Sequence, residues 1–114
     1  METEISKRYD SLPSDYITFI ESEKETILEN GDIYFLLFNK ELALEFNEDM
    51  EVLEFFPKFL FVGKDELSNG IAYNICNSKL YFVPIEGDEA DAIEIAENFA
   101  DLVLKIENEE LRLY

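Results

Sequence analysis

Twenty-seven Asp and Glu side chains stand against nine Lys and Arg in a chain of 114 residues, and this imbalance limits what the chain can build. An ionised carboxylate is costly to bury unless it is paired. A net charge of −18 leaves most of these carboxylates without a base, so they must face water. Each helix or strand therefore has to gather its apolar residues on the side away from them. The material for a core is present: 47% of the residues are hydrophobic, with ten Phe and six Tyr. That content argues against wholesale disorder. A chain of this length normally makes one domain and buries roughly 65% of the surface its unfolded form exposes.

The same counts exclude much chemistry. There is no histidine, which rules out a Ser-His-Asp triad, a Cys-His pair and a His-ligated metal. One cysteine, Cys76, closes no internal disulfide and builds no thiolate zinc site. An acidic surface repels phosphate backbones, so direct nucleic-acid binding is not expected. The start, METEISKRYD, has no apolar run after a basic segment and does not read as a secretory signal. The longest apolar run, Ile33 to Phe38, is far below the roughly 20 residues a membrane helix needs. A cytoplasmic protein without membrane contact or cofactor is expected, and Cys76 fits a reducing compartment.

Along the chain, residues 1–11 read as a loose or partly helical lead-in, followed by a single domain over 12–114. Pro13 suits a first helical turn, and Tyr16, Ile17, Phe19 and Ile20 follow at helical spacing, predicting a helix over 13–22. Glu25 to Leu28 reads as a strand or as more of that helix. Asn30-Gly31-Asp32 signals a turn. The continuous apolar run from Ile33 to Phe38 predicts a strand covered on both faces. Asn39 suits an N-cap, with Leu42, Ala43 and Phe46 on one helical face.

Met50 to Phe56 is ambiguous and stops at Pro57. Phe59 to Val62 predicts a strand broken by Gly63, then a polar loop over Lys64 to Gly70. Ile71 to Ile75 and Leu80 to Ile85, joined through Asn77-Ser78, predict a hairpin. Ile93, Ala96, Phe99, Ala100, Val103 and Ile106 recur at helical spacing and predict one long closing helix, with acids at its start and Lys105 near its end. Blocks of helix, strands and helix predict an α+β domain with a mainly antiparallel, twisted sheet.

Several segments, taken in order, resemble the Smi1/Knr4 family, also called the SUKH superfamily. Leu12-Pro13-x-x-Tyr16-x-x-Phe19-Ile20 is similar to its opening helix. Glu41-Leu42 and Asn47-Glu48-Asp49 resemble its helix and acidic turn. Phe56-Pro57-x-Phe59-Leu60-Phe61-Val62-Gly63-x-Asp65 is similar to its proline, strand and Gly-x-Asp block. Val83-Pro84 follows, and Ile95-Ala96-x-x-Phe99-x-x-Leu102 looks like its closing helix. The chain departs after Gly-x-Asp, where Glu66-Leu67-Ser68-Asn69-Gly70 replaces a run of glycines. The resemblance implies a compact α+β domain. It also implies a bacterial immunity protein that binds a cognate toxin of a polymorphic or contact-dependent system. The fungal members imply the alternative of a regulatory scaffold.

The acidic surface either keeps the protein in solution or steers it to a basic partner. A basic toxin domain, such as a nuclease, is the partner that charge and resemblance together lead us to expect. The candidate partner-binding residues are Glu45, Glu48, Asp49, Asp65, Glu66, Asp88 and Asp91. Asp65 and Glu66 could also be read as a metal or acid/base pair of an enzyme. They lack the calcium-loop pattern, and a solvated turn explains them more simply. Glu86, Asp88, Glu89 and Asp91 read as charge at a helix start. Cys76 reads as packing or incidental, since nothing basic or helical is placed to lower its pKa. The dense phenylalanines from Phe35 to Phe61 are mostly core, with one or two available as interface anchors.

Overall fold

The computed structural model describes residues 3–22, 27–30, 33–66, 69–84, 86–87 and 89–107, with backbone alone at 22, 27–30, 33 and 107. Its elements are α1 (Glu4–Asp10), α2 (Ser14–Ser22), β1 (Ile27–Asn30), β2 (Ile33–Leu37), α3 (Lys40–Asp49), α4 (Val52–Phe55), β3 (Phe59–Asp65), β4 (Gly70–Asn74), β5 (Leu80–Val83), β6 (Ile93–Ala96) and α5 (Phe99–Glu107). A 3₁₀ turn, Glu89–Asp91, precedes β6. The six strands form one sheet in chain order, and every neighbouring pair is antiparallel. This is the expected α+β architecture.

The central strands explain why the sheet needs helices on both sides. Phe61 and Leu60 are consecutive in β3, so they point to opposite faces. Phe61 packs edge-on against Phe46 of α3 and Phe56. Leu60 pairs with Tyr73 of β4, whose ring meets Tyr16 of α2, and Tyr16 meets Phe99 of α5. Helices α3 and α4 therefore cover one face, while α2 and α5 cover the other. Such ring pairs add about 0.5–1.5 kcal/mol each beyond their buried area. α5 packs against both β1 and β6, the two edge strands. Nine residues make a helix about 14 Å long, whereas five strand spacings would separate the edges of a flat sheet by roughly 24 Å. The sheet curves around α5.

Two buried polar side chains tie the layers together. The Asn47 amide, fully buried in α3, donates to Ala43 O (2.7 Å) and Phe61 O (2.9 Å) and accepts from Phe61 N (2.8 Å). It does for β3 what a neighbouring strand would do, next to the register shift between Phe61 and Gly63. The Tyr16 hydroxyl donates to Phe38 O at 2.5 Å, with Val62 O at 3.3 Å, where β2 leaves the sheet.

Several expectations need correction. The segment read as a loose or partly helical lead-in is helical: it carries α1, capped by Thr3, and what needs correction is its place, since Ile5 and Tyr9 lie in the core. β3 runs straight through Gly63, which a bulge accommodates; a Cβ there would lie 2.8 Å from Leu36 O. The expected polar loop is correspondingly shorter, because Lys64 and Asp65 belong to β3 and Gly70 opens β4. Cover on both faces is found at β3 and β4, whereas Tyr34 of β2 is 48% exposed. Asn39 does cap α3, accepting from Leu42 N at 2.9 Å, but Leu42 itself is exposed and Asn47 takes the buried position. The hairpin is present, with β5 ending at Val83 and Ile85 outside the described residues. The Asn-Gly-Asp turn follows Asn30, which pairs with Ile33, but Gly31 and Asp32 also lie outside the described residues, as does Glu25.

The long closing helix divides in two. Ile93–Ala96 is a strand on β5, and α5 begins at Phe99. Alternating β-branched Ile93 and Ile95 suit a strand, and pairing satisfies the open edge of β5. Asn98 marks the true helix start: its Oδ1 accepts from Asp101 N at 2.8 Å, while Asp101 Oδ2 accepts from Glu97 N at 3.1 Å. That second bond, more than Lys105 beside it, holds the Asp101 carboxyl below the usual range.

Two measurements check the polar ties. Asn47→Ala should cost about 3 kcal/mol in urea unfolding, because it strands the buried Phe61 N–H and carbonyl and opens a cavity. Tyr16 and Tyr73 make a contrasting pair. The Tyr73 hydroxyl is buried and has no hydrogen-bond partner among the described residues. Tyr73→Phe should therefore stabilise by about 1 kcal/mol, and Tyr16→Phe should destabilise by about 1–2 kcal/mol. Burial holds both phenols well above their ordinary value of 10.0, helped by Tyr9 and Tyr73 around Tyr16 and by Asp15 near Tyr73. A raised folded pKa means the unfolded chain releases protons first above pH 10. Stability should be intact below pH 10 and fall beyond it, with a shallower fall in Tyr73→Phe.

Candidate partner-binding groove

The acids singled out from sequence do not converge on one place. Glu45, Glu48 and Asp49 are exposed along α3. Glu66 is exposed just past β3, and its Oε1 accepts from Tyr34 N at 3.0 Å. Asp91 is exposed in the 3₁₀ turn, whose Glu89 accepts from Lys58 N at 3.1 Å, next to the opposite end of β3. Seven residues at about 3.3 Å each put roughly 20 Å between those ends. Asp88 lies outside the described residues.

Asp65 departs from the expectation in a different way. It is 4% exposed, and its carboxylate accepts from Asn69 N (2.9 Å) and Asn69 Nδ2 (3.0 Å). The Asp65 backbone N–H in turn bonds Asn69 O at 3.0 Å. Asp65 therefore closes the β3–β4 connection and is not offered to a partner. Among the described residues, no group of three or more His, Cys, Asp or Glu is arranged to hold a metal ion.

A site does form where α1, the end of α3 and α4 meet. Thr3 caps α1 by accepting from Ser6 N at 3.0 Å, which sets the start of the helix and turns Ile5 into the core. α3 ends at Asp49 because Glu51 takes a left-handed conformation, φ 50°. Glycine is usual at such a helix end. The Glu51 N–H bonds Glu48 O, and the Glu51 carbonyl accepts from Glu54 N and Phe55 N to start α4. The short helix then presents Val52 inward and leaves Leu53 and Phe55 44% and 55% exposed.

The resulting groove has a volume of about 290 Å³. Its lining is mostly apolar, with Ile5, Val52 and Leu53 among the contributors, and Glu4, Glu48, Glu51 and Glu54 border it. No lysine or arginine lines it among the described residues. Arg8 lies 3.9 Å from Glu4, but Glu48, Glu51 and Glu54 form no ion pair with a described residue.

Two other depressions have similar volumes, about 310 and 350 Å³, so size does not select among them. Charge does. In the first, Lys40 pairs with Asp10 at 2.9 Å and sits over the Tyr9 ring. The second is lined by Lys58 as well as Glu89. The α1/α3/α4 groove carries an unbalanced negative field above an apolar surface.

Glu48 is the one residue of this groove that sequence reasoning named. Glu4 and Ile5 fall in the segment read as a lead-in, and Glu51 to Glu54 in the ambiguous stretch. A signal was available for α1: Thr3 in an N-cap position before Ile5 and Tyr9 at i, i+4 spacing. None was available for the bend at Glu51, where glutamate stands in a glycine-like conformation.

No protein-family model matches the chain, and no curated protein does. Among the described residues, no helix is long and apolar enough to cross a membrane.

The role of Asp65 is open to a direct check. Asp65→Ala should destabilise by about 2 kcal/mol, since it leaves buried donors of Asn69 unpaired. Glu66→Ala, at an exposed position, should change stability by less than about 1 kcal/mol. Guanidinium unfolding of both variants measures the difference.

Proposed function

We propose that this protein is a non-catalytic binding domain that captures a basic protein partner, and that it acts as an immunity protein of the Smi1/Knr4 type. On this reading the partner is a toxin domain, a nuclease being the best chemical fit. The observation that carries the proposal is the α1/α3/α4 groove, an apolar surface bordered by Glu48, Glu51 and Glu54, which form no ion pair with a described residue. A protein that grips nucleic acid must display lysine and arginine. Such a surface is complementary to this groove and to the wider charge of −18.

No reaction step is required of the inhibitor. Its carboxylates stand where the phosphates of the toxin's substrate would stand, and the exposed Leu53 and Phe55 add apolar contact that phosphate cannot make. Carboxylates held on the helices α1, α3 and α4 need little rearrangement on binding, which limits the entropic cost.

Co-expression with the toxin encoded beside its gene is the direct test. Growth should be rescued, and the two proteins should co-elute on a sizing column. Loss of both results removes the proposal. The charge makes a kinetic prediction as well. Between about 10 mM and 150 mM salt, association should slow at least tenfold, while dissociation changes far less. Stopped-flow mixing at several ionic strengths separates the two rates.

A further inference from the structure

The groove also restricts what part of a partner can enter it. Its volume of about 290 Å³ sits at the bottom of the range of about 300–1,000 Å³ typical of small-molecule sites. It is open to solvent along the junction of three helices, so it suits one long side chain and its flanks more than an enclosed ligand. The lining has two zones. Ile5, Val52 and Leu53 offer apolar contact, and Glu48, Glu51 and Glu54 border it without an ion pair to a described residue.

A side chain that satisfies both zones must be apolar along its stem and cationic at its tip. Lysine and arginine both have that form. Arginine is the better match. Its planar guanidinium presents five donors and can bond more than one carboxylate, whereas an ammonium is a compact, strongly hydrated charge. Leu53, which lines the groove and is 44% exposed, would meet an apolar residue flanking that arginine.

We propose that the groove is an arginine-anchor site for a protein segment in which arginine is flanked by large apolar residues. This rests on the reading of the protein as a binder of basic partners, and it names the residue type and the face. Net charge weighs against a second copy docking groove to groove. A copy also carries −18, and its own groove residues would face carboxylates with carboxylates. The chain itself holds Leu111-Arg112-Leu113, so self-docking has its own check. The protein alone should run as a monomer on a sizing column, and a dimer lost in the triple variant Glu48→Gln, Glu51→Gln, Glu54→Gln would overturn the choice of a foreign segment.

The test uses a defined peptide, so it does not depend on knowing the natural partner. The probe is the acetylated, amidated hexapeptide Gly-Leu-Arg-Leu-Arg-Gly, titrated into ¹⁵N-labelled protein. Comparators replace both arginines with citrulline, or both leucines with serine. Saturable shifts centred on residues 3–5 and 47–55 are expected, with each comparator binding at least tenfold more weakly. The triple variant Glu48→Gln, Glu51→Gln, Glu54→Gln should bind at least tenfold more weakly. A charge-matched control, Glu41→Gln, Glu86→Gln, Glu97→Gln, should bind within about twofold of the original. All six positions are exposed, and an unchanged far-field spectrum verifies that each variant folds. Shifts spread over every acidic face, equal binding of the citrulline peptide, or equal loss in the control would overturn the proposal.

The same triple variant separates this inference from the broader reading. If the original protein rescues growth and the triple variant rescues equally well, the groove is not the anchor site, yet toxin neutralisation stands. If the original protein fails to rescue, the toxin reading falls, and the peptide titration still decides the groove.

Discussion

The structure depends on one amide. Asn47 sits on a helix in a chain crowded with acids, and its side chain takes the place of a strand's hydrogen-bonding groups beside Phe61. A buried amide with three good bonds has no freedom to slide. It sets the height and rotation of α3 on β3, and so determines which side of α3 faces water. Glu48 follows Asn47 directly, and the chain reverses at Glu51. The acids of the groove stand where they do because Asn47 stands where it does. A hydrophobic residue at that position could pack but would leave the bulged strand without its partner.

The second organising constraint is the charge. A chain with 27 Asp and Glu has to display most of them on elements that bury their other side well. The fold answers by burying the two central strands on both faces with aromatic rings, and by leaving most acids on helix exteriors and turns. Where an acid is buried, as at Asp65, it is compensated by donors of Asn69. Where acids are exposed beside an apolar surface, as at Glu48, Glu51 and Glu54, their carboxylates form no ion pair with a described residue. That contrast separates carboxylates with a structural role from those available to a partner.

Comparison of residues with their final positions shows how far sequence reasoning reached. The hairpin between β4 and β5, the Asn39 cap and the α2 helix were legible, because each depends on local chemistry within a few residues. The closing element was misread because Ile93, Ala96, Phe99 and Val103 also fit a helical stripe. The open edge of β5, a partner about ten residues earlier in the chain and beyond the reach of a local helical pattern, decided in favour of a strand. Gly63 looked like a break, but the neighbouring backbone at Leu36 leaves no room for a Cβ, and the strand continues. Of the candidate acids, Glu45, Glu48, Asp49, Glu66 and Asp91 are exposed as expected, while Asp65 turned inward for want of any local sign of its bond to Asn69.

By itself, the sequence determined the class of fold, the absence of histidine chemistry and the sign of the field around the molecule. Those follow from composition and short-range periodicity, which do not depend on how distant segments meet. Tertiary structure alone decided where the field is concentrated. Glu4 and Glu54 lie fifty residues apart in the chain, and only the packing of α1 beside α3 and α4 makes them two walls of one groove. Long-range contact is set by burial and by the Asn47 and Tyr16 ties, and no local pattern of residues encodes it.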